Sequence, residues 1–201
     1  MVGRDEHWQR GKWELSIVIP HFAIDMFFLP ILILAGNFAS TPPIVGDRAP
    51  GFDVRTLGHE SVRLSSLLKH GPVVLVVLRG YPGYQCPFCT RQVGEILSKS
   101  PEFEKRKASV VLVYPGPAEN LEKYASEFVS GKDIPKGVYF TLDPDYGFTK
   151  SYCLRWEAPH ETAYPSAFVI RKDRRIVYAK VSRSHGDRAP LEDILKGLDS
   201  L

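Results

Sequence analysis

Two continuous apolar runs dominate the middle of the chain. They read "PVVLVVL" over 72–78 and "SVVLVY" over 109–114. Unbroken runs that are rich in β-branched residues are typical of strands covered on both faces, as in parallel sheets. The pattern therefore predicts two buried central strands.

Helical spacing follows each of these runs. After the first run, apolar residues recur at Val93, Ile96 and Leu97. After the second run, the positions that share one helical face are Leu121, Tyr124, Ala125 and Phe128. A last helix is predicted near the C-terminus, with Pro190 near its first position. Its apolar face is formed by Leu191, Ile194, Leu195, Leu198 and Leu201.

The other segments complete an alternating pattern. A strand pair and a short helix are predicted between 50 and 70, a further strand in "GVYFTLDP", and a short helix in "DYGFTKSYCL". "SAFVI" and "RIVYAKV" flank "RKDR", which predicts an antiparallel hairpin. Strands that alternate with helices predict an α/β fold with a central mixed sheet and helices on both faces.

Residues 1–40 differ from the rest. Basic residues precede an apolar stretch at 16–36, and small residues follow it, as in an export signal or membrane anchor. The stretch is about long enough to span a bilayer, but it contains Asp25 and two prolines. We favour export or membrane association through 16–36. The alternatives are a cytoplasmic protein, a disordered extension, or a start at Met26. The folded domain is predicted over 44–201.

The net charge and the number of cysteines limit the classes of function that this sequence supports. A net charge of +3 over 201 residues, with no basic stripe, argues against nucleic-acid binding. Three cysteines do not make a disulfide framework. Cys86 and Cys89 are therefore interpreted as reactive residues and not as a structural disulfide.

The "CPFC" turn places these cysteines where a buried strand gives way to a helix. Free amide groups at a helix N-terminus favour a thiolate, the reactive form of cysteine. Pro87 suits the first helical turn, since its missing N–H loses no partner there. We expect Cys86 to be an exposed nucleophile and Cys89 a resolving thiol, with Arg79 and Arg91 as candidate cations.

Other interpretations of these residues remain. Half a zinc site is disfavoured, because structural zinc needs four ligands, the sequence has no second C-x-x-C, and the only tempting additions are Cys153 and His160. Two inert buried cysteines are a further alternative, although the surrounding loop is rich in Gly and Tyr and such loops are exposed. Pro165 directly precedes a predicted strand, which is an ordinary place for proline. Its functional interpretation is a cis-proline loop that lies against the dithiol.

The ordered set of motifs resembles the thioredoxin fold. Within that fold, "VGDRAPGF" and "YPSAFVIRKDRRIVYAKV" resemble the peroxiredoxin-like alkyl hydroperoxide reductase/thiol-specific antioxidant (redoxin) family. The resemblance covers the chain from Ile44 onwards. It implies that Cys86 is the peroxidatic cysteine and that Pro165 is cis beside it. Arg79 and Gly83 stand where the family has a Pro and a Thr or Ser, and "CPFC" looks more like a glutaredoxin dithiol.

The resemblance also suggests the reaction. A hydroperoxide would be reduced through Cys86, a Cys86–Cys89 disulfide would form, and an external thiol reductant would reset it. We expect Gly83, Tyr84 and Arg155 to bind substrate, and no cofactor or metal to be required. The alternatives are a dithiol–disulfide oxidoreductase acting on protein disulfides, and a binding module without turnover.

Four further side chains are assigned minor roles. His185 and Arg188 are candidates for lining the site, but Asp187 and its neighbours are interpreted as a cap of the last helix. Cys153 is interpreted as a partly buried, unreactive thiol, with a distal resolving role as the alternative.

Overall fold

The computed structural model describes residues 41–201. The strands in this range are β1 (Asp53–Thr56), β2 (Ser61–Arg63), β3 (Val73–Val77), β4 (Ser109–Gly116), β5 (Val138–Pro144), β6 (Ser166–Ile170) and β7 (Ile176–Val181). The helices are α1 (Leu64–His70), α2 (Pro87–Ser98), α3 (Ser100–Lys105), α4 (Leu121–Val129), α5 (Gly147–Ser151) and α6 (Leu191–Asp199).

All seven of these strands form one mixed sheet in the order β2-β1-β5-β4-β3-β6-β7. The central strands β3, β4 and β5 are parallel. β6 and β7 continue the sheet antiparallel beyond β3, and β1 and β2 do so beyond β5. The predicted α/β architecture with a central mixed sheet is confirmed.

The two apolar runs form β3 and β4, and every residue of β3 is buried. Successive side chains point to opposite faces of a sheet. Val74 and Val76 therefore join one core, whereas Val73, Leu75 and Val77 join the other. α2, α3, α4 and α6 cover the first core, and α1 and α5 cover the second. Helices thus lie on both faces, as the pattern predicts.

Some expectations about the elements are wrong. Helix α3 was not expected from the pattern. Leu201 lies beyond the end of α6 and is 47% exposed, so it does not belong to the apolar face of that helix. Asp187 does not cap α6: Pro190 occupies the cap position, and the Asp187 carboxylate pairs with Lys180 at 2.6 Å.

The apolar segment at 16–36, and with it the predicted 1–40 extension, lies outside the described residues. Between 41 and 201, the helices are all too short or too polar to cross a membrane.

Gly80 fixes the path from β3 to α2. Its backbone has a φ of +70°, which L side chains rarely adopt. A Cβ atom there would lie 1.8 Å from the carbonyl oxygen of Pro115, at the end of β4. The loop can therefore pass close to the neighbouring strand only with glycine at this position, and this path leads the chain to Cys86.

Candidate active site

The dithiol lies at the start of α2. Cys86 is the N-cap residue and Pro87 the first helical residue, as the sequence predicts. Cys89 follows one turn along the helix, so the two cysteines lie on the same side. No disulfide joins Cys86 and Cys89.

The expectation that Cys86 is exposed is wrong. Its exposed fraction is 1%, and that of Cys89 is 0%. Both side chains belong to the core beneath α2. The segment 182–190 lies over the start of this helix, since a Cβ atom on Gly186 would lie 3.5 Å from the ring of Phe88. The sequence pattern of the loop gave no sign that a segment about a hundred residues away covers it.

The cation beside the dithiol is Arg188. Its Nη2 lies 3.6 Å from Cys86 Sγ and 3.5 Å from Cys89 Sγ. Its Nη1 donates to Oε1 of Gln92 at 3.3 Å, and its Nε donates to the carbonyl of His185 at 2.7 Å. These contacts aim one guanidinium at both sulfur atoms. The only sequence signal was the basic residue itself in "SHGDRAP".

The two thiols differ in acidity. The hydrogen bond from Cys89 lowers the pKa of Cys86 to about 5, against the opposing effect of burial. The amide groups of Cys89 and Phe88 and the charge of Arg188 act in the same direction, although the thiol makes no capping hydrogen bond of standard geometry. The hydrogen bond to Cys86 and burial raise the pKa of Cys89. Cys86 therefore carries the thiolate and Cys89 keeps its proton.

Arg79 contacts the dithiol through its backbone. Its amide donates to Cys89 Sγ at 3.3 Å. Its buried guanidinium instead donates to the carboxylate of Glu161 at 2.8 Å, the hydroxyl of Tyr84 at 2.6 Å and the carbonyl of His160 at 3.0 Å. Arg91, the other candidate cation, is exposed, and its guanidinium lies 5.6 Å from the ring centroid of Phe88.

Glu161 joins the two arginine-bearing segments. One carboxylate oxygen accepts from Arg79, and the other lies 2.8 Å from Nε2 of His185. Burial opposes ionisation of this carboxyl group, but the hydrogen bonds from Arg79 and His185 prevail and lower its pKa. Nothing in the local sequence marks Glu161 as a site residue, since it lies 82 residues from its partner Arg79.

The residues expected to bind substrate lie in two loops. Gly83 is exposed with a φ of +117°, and Tyr84 is 49% exposed. Both precede Cys86 directly in the loop. Arg155 donates from Nη1 to the carbonyls of Trp156, Glu161 and Thr162. These bonds hold the loop that carries Glu161.

Pro165 is not cis. All peptide bonds between residues 41 and 201 are trans. The trans form is the one that X–Pro bonds favour, by about 0.5–1 kcal/mol. Pro165 is buried directly before β6, and its carbonyl accepts from the amide of Ser182 at 2.8 Å. The plainer interpretation, a proline that opens a strand, describes its place in the fold.

Cys153 is half-buried after α5, with a φ of +53°. Within residues 41–201, His, Cys, Asp and Glu side chains form no group of three or more that could hold a metal ion.

The family model of the AhpC/TSA family matches residues 45–179 of this chain. The chain belongs to the AhpC/TSA family. It is accordingly a thiol-dependent oxidoreductase, like the peroxiredoxins of this family. The resemblance inferred from "VGDRAPGF" and from the Pro165 strand and hairpin is confirmed.

Solved peroxiredoxin structures share the fold of this AhpC/TSA protein. The peroxidoxin BcpB of Mycobacterium tuberculosis is 22% identical, with a TM-score of 0.60, over 80% of this chain and 98% of that one. The mitochondrial 2-Cys peroxiredoxin of Plasmodium falciparum is 18% identical, with a TM-score of 0.59, over 78% and 93% of the two chains. AhpC of Mycobacterium tuberculosis is 13% identical, with a TM-score of 0.61, over 80% and 93%. A search of curated proteins gave no match.

Proposed function

We propose that this AhpC/TSA protein reduces small hydroperoxides, with Cys86 as the nucleophile and Cys89 as the resolving thiol. The observation that carries the proposal is the position of Cys86 at the N-terminus of α2, with Arg188 Nη2 3.6 Å from its sulfur. A helix N-terminus and a guanidinium both stabilise a thiolate. A pKa of about 5 keeps Cys86 ionised at neutral pH.

In the first step, the Cys86 thiolate attacks one oxygen of the hydroperoxide. An S–O bond forms and the O–O bond breaks. The leaving oxygen takes the electron pair and a proton and departs as an alcohol, or as water from hydrogen peroxide. Cys86 is oxidised to a sulfenic acid and the peroxide is reduced by two electrons. Arg188, beside the sulfur, is placed to stabilise the negative charge that develops on the leaving oxygen.

In the second step, the sulfur of Cys89 attacks the sulfur of the Cys86 sulfenic acid. The S–S bond forms, and the hydroxyl of the sulfenic acid leaves with the thiol proton of Cys89 as water. Cys89 lies 3.5 Å from the same Arg188 nitrogen, so both sulfur atoms share one cation. An external dithiol then reduces the disulfide by thiol–disulfide exchange and is itself oxidised.

The loop before Cys86 is the proposed entrance. Gly83 and Tyr84 are exposed in that loop, whereas Cys86 is not. We assign substrate contact to these two residues. We propose that Arg155 maintains the shape of the site, because it donates to three backbone carbonyls of the loop that carries Glu161. We propose that Pro165 also maintains the shape of the site, because its carbonyl accepts a hydrogen bond from the amide of Ser182.

Reduction of protein disulfides is the second candidate. The acidic Cys86 paired with a less acidic Cys89 favours it, since thiol–disulfide exchange uses the same asymmetry. The burial of both sulfur atoms favours the peroxide, because a protein disulfide is much bulkier than a hydroperoxide. We therefore place the peroxidase first.

The two functions separate in paired assays. Reduced protein is given hydrogen peroxide or an organic hydroperoxide in one assay and a model protein disulfide in the other, with a dithiol reductant in both. We expect faster turnover of the hydroperoxide, no activity of Cys86→Ser, and unchanged activity of Cys153→Ser as the matched control. Faster turnover of the protein disulfide would overturn the order. Full activity of Cys86→Ser in both assays would exclude both functions.

A further inference from the structure

The dithiol lies within a closed ring of hydrogen bonds that includes the charged pair behind it. The amide of Arg79 donates to Cys89 Sγ, and its guanidinium donates to Glu161. The other oxygen of Glu161 bonds to His185, whose carbonyl accepts from Arg188. Arg188 returns to both sulfur atoms. The proposed chemistry uses the thiols and Arg188 and leaves Glu161 and His185 without a role.

We propose that Glu161 and His185 are positioning residues that hold the segment 182–190, and with it Arg188, against the dithiol. The inference rests on the proposed role of Cys86 as the nucleophile. Glu161 and His185 act on the dithiol only through their neighbours in the ring, Arg79 and Arg188. The link between them is a single contact of 2.8 Å from Oε1 to Nε2.

The fixed end of this link is Glu161. Its side chain is 11% exposed, and its partner Arg79 is 2% exposed and also donates to Cys89, Tyr84 and the carbonyl of His160. Arg155 holds the backbone of the same loop at the carbonyl of Glu161. The carboxylate is thus held on the body of the domain, and His185 attaches the segment 182–190 to it.

The other end of the link is the segment 182–190 itself, which lies beyond β7 and forms no helix or strand before α6. Its other polar anchors are the amide of Ser182 on the carbonyl of Pro165, the bond from Arg188 to Gln92, and the pair of Lys180 and Asp187, whose side chains are 36% and 42% exposed. Exposed ion pairs contribute only about 0–1 kcal/mol. The ring of Trp156 contacts His185 at a centroid distance of 5.5 Å and is itself stacked on Tyr164. The bond from Arg188 to Gln92 is long, at 3.3 Å, so the shorter, partly buried link between His185 and Glu161 is the contact that we expect to decide where Arg188 lies.

The test is a titration of the thiolate by its absorbance near 240 nm, in reduced protein without substrate. The transition at lowest pH is assigned to Cys86 by its absence in Cys86→Ser. Three variants are compared with the wild type. His185→Phe keeps a ring beside Trp156 but removes the donor to Glu161. His185→Gln restores a donor, and Asp187→Asn is the matched control that cuts the exposed pair in the same segment.

We expect His185→Phe to raise the midpoint by about one pH unit, since a nearby opposite charge lowers such a pKa by about 1–3 units and its displacement removes part of that effect. In His185→Gln and Asp187→Asn, the midpoint of Cys86 should lie within about 0.3 pH unit of the wild type, because both variants keep the hydrogen bond between residue 185 and Glu161. An unchanged midpoint in His185→Phe would overturn the inference. So would an equal rise in His185→Gln, which would show that the imidazole ring and not the hydrogen bond matters. If His185→Phe does not fold, His185→Leu serves the same comparison.

The result of this titration can be distinguished from the result of the peroxidase assay. The titration needs no peroxide and reports the acidity of Cys86, to which the charge of Arg188 contributes. A wild-type protein that consumes no hydroperoxide, but whose midpoint rises in His185→Phe, would remove the peroxidase and leave the positioning role. A working peroxidase with no rise would remove the positioning role alone.

Discussion

Replacing Arg188 by Met removes the cation beside the dithiol and keeps most of the side-chain volume. At 3.6 Å and an effective dielectric constant of about 20, two unit charges interact by roughly 4–5 kcal/mol. Arg188 is half-buried, so solvent screens part of this energy. We take about 3 kcal/mol, which corresponds to about two pH units. The pKa of Cys86 is then expected to rise from about 5 to about 7.

The sign of the shift sets the pH dependence of the reaction. Only the thiolate attacks, and it predominates above the pKa. At pH 6 the ionised fraction of Cys86 should fall from about 0.9 to about 0.1, whereas at pH 8 it should stay above roughly 0.9. The ratio of variant to wild-type kcat/KM for a hydroperoxide should therefore be about tenfold lower at pH 6 than at pH 8. Any change that does not depend on pH cancels in this comparison.

The assay combines stopped-flow peroxide consumption at the two pH values with the absorbance titration of the thiolate. Arg91→Met is the matched control: it removes an exposed arginine from the same helix, one that packs on Phe88. We expect it to leave the midpoint near pH 5. A midpoint near pH 5 in Arg188→Met would refute the assignment of the cation. A rise in Arg91→Met as large as in Arg188→Met would show that net charge, not the contact, sets the acidity.

Two further predictions concern the frame of the site and are measured by urea unfolding. Gly80→Ala should destabilise the fold by more than about 3 kcal/mol, because its positive φ adds strain to the close contact with the carbonyl of Pro115. Gly83→Ala, with a positive φ but open space, should cost only about 1–2 kcal/mol; equal losses would contradict the argument. Arg79→Met leaves Glu161 largely buried without its main partner, so we expect a loss of about 3–5 kcal/mol. A loss below about 1 kcal/mol would show that the pair is dispensable.

Most of the fold could be predicted from the sequence, because the patterns that indicate strands and helices involve residues close together in the chain. Continuous apolar runs identified β3 and β4, and helical spacing identified α2, α4 and α6. "CPFC" after the first run located the N-cap of α2. Short α3 carries too few residues for such a period to show.

The candidate site was only partly readable, because its contacts join distant segments. Arg188 lies 102 residues from Cys86, and nothing in "SHGDRAP" selects it over its neighbours. Cys86 is buried, and the distant segment that carries Arg188 lies against the start of its helix, so the glycine-rich loop alone suggested exposure wrongly. The trans form of Pro165 contradicts an expectation taken from a family pattern, not from the residues around it.

The roles of the two cysteines are tested most directly by mass spectrometry of the reduced protein after one equivalent of hydrogen peroxide. The proposed mechanism predicts a bond between Cys86 and Cys89, with a sulfenic acid on Cys86 that persists only in Cys89→Ser. An oxidised product that leaves Cys86 as a thiol, or a disulfide that joins Cys86 to Cys153 while Cys89 stays reduced, would contradict it.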